Sequence, residues 1–188
     1  MKKFLLVLFV AALFPLTSNA QSSPGYFGIE AGLGMPMSPS AFKSGYNMGF
    51  NLGGLYTKPL NDLFSIGGEV NYASYSADLP SGASGGSLSF FTILGTVKVA
   101  DNYTASQIAP FGRAGIGINF ASASDLTVGN TTFKGGSENG LAIILAGGLD
   151  FKLSGGNKVS VELGYRVNNT PGTSYNGLSI NGEYHFIF

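Results

Sequence analysis

Cysteine is absent, histidine occurs once, and only 11% of the residues carry charge. Without cysteine there can be no disulfide, zinc-thiolate site or thiol nucleophile. The ten Lys/Arg balance the ten Asp/Glu, which leaves no basic excess for gripping nucleic acid. No carboxylates fall at calcium-loop spacing. Long hydrophobic runs are missing as well. The apolar stretch from Phe4 to Leu16 is shorter than the ~20 residues a helix needs to span a bilayer. We therefore expect no cofactor, no metal site, no catalytic site and no nucleic-acid partner.

That stretch makes sense with its flanks. Lys2 and Lys3 precede it, and Ser18-Asn19-Ala20 offers a small-x-small cleavage site. Residues 1–20 read as a secretory signal, leaving one domain over residues 21–188 that begins at Gln21. Loss of Lys2 and Lys3 tips the balance slightly to the acidic side.

Glycine is abundant, at 29 residues, and so is alternation. In Leu141 to Leu153 the odd positions include Leu141, Ile143, Leu145, Leu149, Phe151 and Leu153, while Asp150 and Lys152 take even ones. A period of two marks a strand whose faces meet different surroundings. Similar patterns begin near Phe27, Met48, Phe64, Phe91, Ala114, Val159 and Leu178, giving eight strands with no helix to cover the apolar side. An all-β, eight-stranded antiparallel up-and-down transmembrane barrel resolves this, apolar face to lipid. Glycine on strand faces suits so narrow and curved a barrel.

Charge placement follows the same rule. Lys43, Lys58, Asp62, Asp78, Asp101, Asp125, Lys134, Glu138 and Lys158 are expected in loops or turns. Glu30, Glu69, Lys98, Arg113, Asp150, Lys152, Glu162, Arg166 and Glu183 all take the inward phase, with His185. A lysine or arginine facing lipid at the midplane would cost roughly 2–4 kcal/mol. An eight-stranded barrel is just wide enough for side chains to fill, so these groups form a lumen charge network. Tyr26, Tyr46, Tyr56, Tyr72, Tyr165 and Tyr184 suit an interfacial aromatic girdle.

Connections at 58–62, 101–107 and 154–158 are short and turn-like. Those at 35–44, 76–87 and 121–139 are longer and rich in Ser, Gly and Pro. The final connection, 169–173, is short where a long one is expected. Short periplasmic turns, longer outer loops and an even strand count describe outer-membrane barrels with both termini in the periplasm.

The tract Pro110-Phe111-Gly112-Arg113-Ala114-Gly115-Ile116-Gly117 and the stretch Glu162-Leu163-Gly164-Tyr165-Arg166 resemble the small eight-stranded outer-membrane barrels of Gram-negative bacteria. These form the OmpA/OmpX-like superfamily with its outer membrane protein beta-barrel domain. The resemblance extends over the whole chain after residue 20. Tyr184, Phe186 and Phe188 likewise resemble the terminal aromatic signal that the barrel assembly machinery reads.

The resemblance implies a structural, surface-display or interaction role in the outer membrane, with lipid and envelope or surface proteins as partners. Loops 35–44, 76–87 and 121–139 would be the points of contact. A narrow small-solute channel is the alternative, as is a component of a secretion or attachment system. With no further domain after the barrel, no cell-wall tether is expected. Ser179, Glu183 and His185 share a strand face, as the members of a hydrolase triad would. Ser179 and His185, however, stand roughly 20 Å apart by strand rise, which argues against a lipid-modifying enzyme.

Overall fold

The computed structural model describes residues 25–101 and 106–187. The expected signal segment, Gln21 and Phe188 lie outside the described residues. Eight long strands close into one barrel. They are β1 (Tyr26–Ser38), β2 (Gly49–Pro59), β3 (Phe64–Tyr75), β5 (Leu88–Ala100), β6 (Ile108–Ala123), β9 (Ser137–Lys152), β10 (Lys158–Thr170) and β11 (Thr173–Ile187). Each pairs antiparallel with the next long strand, and β11 returns to β1. A closed sheet leaves no unpaired edge, which lets a strand architecture stand in lipid.

Alternation sets the register. Phe27 lies opposite both Phe186 and Tyr56, Leu52 opposite Tyr72, and Phe91 opposite Phe120. Apolar side chains thus meet across strands on the outer wall. A one-residue slip would turn every one of them into the lumen. Leu145 and Ile180 are each 60% exposed, so nothing among the described residues covers this wall, and an apolar belt of this extent calls for lipid. No helix among the described residues is long and apolar enough to cross a membrane; the strands do the crossing.

The longer connections are more built than expected. β1 continues to Ser38, and a short helix α1 (Ser40–Gly45) follows within the connection. Loops 76–87 and 121–139 contribute three small strands, β4 (Ala83–Gly85), β7 (Leu126–Val128) and β8 (Thr131–Phe133). These form a separate sheet in the order β4-β7-β8 at the end of the barrel away from the termini. Asp125 helps hold its base, accepting from Lys134 Nζ at 2.7 Å and from the Gly135 amide at 2.9 Å. The lysine contact holds the Asp125 carboxyl below the usual carboxylate range, helped by the amide.

Several placements differ from expectation because strands run further than the pattern indicates. Lys158, expected in a turn, opens β10 on the inward phase and is buried. Glu138 belongs to β9, though it is exposed. Lys58 lies on β2 opposite Ile66, on the outward phase near the end that carries the termini. Among the described residues it is the exception to an outward wall free of charge. Two of the six tyrosines are not part of a girdle. Tyr26 turns inward beneath Lys158, and Tyr46 joins an internal aromatic cluster.

Candidate functional site: the barrel interior

Three layers fill the lumen. The middle layer is organised by two arginines. Arg113, from β6, donates Nε to Glu162 Oε2 at 2.7 Å and Nη2 to Glu162 Oε1 at 2.6 Å. Its Nη1 donates to Glu69 Oε2 at 2.6 Å. This forked pairing with Glu162 is the geometry in which guanidinium and carboxylate bind most strongly. Arg166, from β10, reaches Glu69 Oε1 at 2.7 Å and Glu30 Oε1 at 3.5 Å. Asn71 donates to Glu30 Oε1 at 2.5 Å, and Asn181 to Glu162 Oε1 at 3.4 Å. Glu183 sits 2.9 Å from His185 Nε2.

All of these side chains are buried. They come from β1, β3, β6, β10 and β11, and closure of the barrel is what brings them together. Glycine makes part of the room: a Cβ on Gly53 would stand 2.5 Å from Glu30 Oε1.

The layer is unbalanced. Four carboxylates, Glu30, Glu69, Glu162 and Glu183, surround two guanidiniums. Glu30 and Glu183 face one another across β1 and β11. Glu30 Oε2 and Glu183 Oε1 accept no hydrogen bond among the described residues, and each lies 3.7 Å from Arg113 Nη2. Carboxylate oxygens of Glu30, Glu162 and Glu183 converge within 4.8 Å of one another, as a metal site would require. Arg113 Nη2 already sits against these same groups, so a guanidinium holds the position a cation would take.

Nearer the termini, Asp150 is the hub. It accepts from Lys98 Nζ at 2.8 and 2.9 Å, from Ser160 Oγ at 2.7 Å and from Lys158 Nζ at 3.4 Å. The two ammonium groups also cover aromatic faces, Lys98 over Phe111 at 3.8 Å and Lys158 over Tyr26 at 4.0 Å, an attraction that strengthens where water is scarce. Lys152 is half-buried and lines, with Asp101, Asp150 and Lys158, a small recess of about 180 Å³.

At the far end the seal is apolar. Phe42 of α1 drops into the lumen and is buried there. Its ring packs edge-on against Tyr75, Phe90 and Tyr175, with centroids 5.1, 6.1 and 5.4 Å away. Tyr46 tilts against it at 5.6 Å. Inward-facing Leu94, Ala142 and Ile144 form a second apolar cluster.

Of these inward residues Ala142 shares the expected inward phase of Asp150, whereas Phe42, Tyr75, Phe90, Leu94, Ile144 and Tyr175 were not expected inside. Phe90 and Ile144 stand within runs (Phe90-Phe91, Ile143-Ile144) that are apolar on both phases, and that doubling was the available signal. Ser179 and His185 are buried inside, with Glu183 between them along β11. His185 is engaged by Glu183, while Ser179 lies six residues back along the strand.

The chain matches no protein-family model and no curated protein by sequence. Its fold does match solved structures. Neisserial surface protein A aligns with a TM-score of 0.63 at 16% identity, covering 87% of this chain and 97% of that one. Ail, the attachment invasion locus protein of Yersinia pestis, aligns at 0.55 and 12% identity, covering 88% and 100%. The outer membrane enzyme PagL aligns at 0.50 and 17% identity, covering 83% and 97%. The chain has the fold of the small eight-stranded outer-membrane barrels.

Proposed function

We propose that this protein is an outer-membrane anchor and surface-display barrel, closed by its own side chains, with both termini in the periplasm. One observation carries this reading. The lumen is obstructed twice, by the Phe42 cluster at the far end and by the Arg113–Arg166 layer in the middle, and the charged side chains of that layer are no more than 9% exposed. A conducting pore needs sites that bind ions weakly enough to release them. Carboxylates clasped by two-pronged guanidinium contacts are the opposite.

The partner-facing surface is then the far end, with loops 35–44, 76–87 and 121–139 and the β4-β7-β8 sheet. It carries Asp78, Asp125 and Glu138 against Lys43 and Lys134, and Lys134 is already paired. That composition fits an envelope or surface protein better than a polyanion. Although PagL shows that such a barrel can be an enzyme, here the serine and the histidine both point into a filled interior, so we infer a non-enzymatic role.

Purified protein in planar bilayers is expected to give no large, steady conductance. A reproducible open channel, altered by Arg113→Ala, would replace the anchor reading with transport.

Export and assembly are assigned to two segments of the sequence. Residues 1–20 are the signal, removed before Gln21. Tyr184 and Phe186 stand on β11 with ring centroids 4.6 Å apart, and with Phe188 they form the element read by the assembly machinery. Deleting Phe188 should reduce the folded, heat-modifiable band in outer-membrane fractions several-fold. An unchanged band would remove the signal role.

A further inference from the structure

The outward wall is not evenly filled. Gly54, Gly68 and Gly95 take outward positions on β2, β3 and β5. In register, Gly68 lies opposite Tyr56 on one side and Gly95 on the other. The missing side chains leave an apolar groove of about 910 Å³, flanked by Tyr56, Val70 and Ile116. That is within the range of small-molecule sites, roughly 300–1,000 Å³.

Close packing does not demand these glycines. A Cβ on Gly68 would meet only the Leu94 carbonyl oxygen, at 3.6 Å, and one on Gly54 nothing nearer than 3.8 Å. The neighbouring Gly67 is different, since its Cβ would collide with the Tyr56 carbonyl oxygen.

Lys58 lines the end of the groove nearest the termini. It faces outward and has no ion pair or hydrogen bond among the described residues. The two features together specify an occupant. An apolar hollow left empty in lipid forfeits dispersion contacts along its walls, and a flexible acyl chain can fill it. An uncompensated ammonium at the foot, at headgroup depth, calls for an anion.

We propose that the groove holds an acyl chain of an anionic phospholipid of the periplasmic leaflet, with its phosphate on Lys58. The choice of leaflet rests on the orientation proposed above.

The test is native mass spectrometry of the full-length processed protein released from vesicles of equimolar phosphatidylglycerol and phosphatidylethanolamine. The wild type should retain one lipid, with phosphatidylglycerol preferred. Gly68→Leu, which projects into open space, should lose the adduct while its heat-modifiable mobility stays unchanged. Lys58→Gln should keep an adduct but lower the preference for phosphatidylglycerol about fivefold, the worth of one lysine at an anionic surface.

An adduct that survives Gly68→Leu would overturn the groove as the site. A protein dimer lost on the same substitution would assign the groove to a second copy instead. An unchanged preference in Lys58→Gln would refute the phosphate contact. Orientation is read separately by labelling Asn130→Cys on intact cells with a membrane-impermeant thiol reagent. Labelling there supports the periplasmic leaflet. Protection of that cysteine would overturn the leaflet and leave the adduct result to stand or fall by itself.

Discussion

Arg113→Ala will lower the unfolding temperature by on the order of 10 °C. The side chain satisfies Glu162 with two hydrogen bonds and Glu69 with a third. Its Nη2 also lies 3.7 Å from each of the facing pair Glu30 and Glu183. Its removal leaves the four buried carboxylates with one guanidinium, that of Arg166. Breaking a buried ion pair by deleting one partner costs roughly 3–5 kcal/mol, and each kcal/mol moves the midpoint by roughly 2–4 °C in a domain of this size.

The opposite substitution should behave differently. Glu30→Gln relieves the repulsion across β1 and β11 and keeps a carbonyl oxygen for Asn71, so its midpoint should stay near wild type or rise. Heating followed by gel mobility, with circular dichroism in the same detergent, measures both. If the two variants are destabilised equally, the acid excess of the middle layer has no energetic consequence.

Gly117→Val should abolish the barrel outright. Gly117 faces inward on β6 opposite Leu94, and a Cβ there would collide with the Ile93 carbonyl oxygen and come within 2.8 Å of Leu94 Cα. Both are backbone atoms of the adjacent strand, so relief requires parting β5 from β6, and a closed sheet cannot open one seam and stay in lipid. No heat-modifiable band should form. Gly68→Leu, two strands over and on the lipid side, should form it normally. A folded Gly117→Val would mean that strand curvature adjusts more freely than this spacing allows.

The inward phase of Glu30, Glu69, Lys98, Arg113, Asp150, Glu162, Arg166, Glu183 and His185 was legible because strand periodicity is local. Two residues along the chain decide which way a third will point. Lys158 and Lys58 escaped that logic. Lys158 is the first residue of β10 and Lys58 the last but one of β2, where alternation has too few neighbours to be distinguished from a turn. The Phe42 seal escaped for another reason. A six-residue helix within a Ser- and Pro-rich connection has no periodicity of its own, and its phenylalanine is held by rings from β3, β5 and β11.

By itself, then, the chain's alternation determined an eight-stranded barrel with charge inside and apolar residues outside, because only lipid outside and a filled lumen inside satisfy both faces. The tertiary structure decided who pairs with whom. Arg113 and Glu162 are 49 residues apart, and Arg166 and Glu30 are 136. Their meeting depends on the register in which the strands close and on how far long side chains reach across the lumen. Closure likewise created the outward groove, since Gly54, Gly68 and Gly95 become neighbours only when three strands align. Both are properties of the closed sheet, and no single strand contains them.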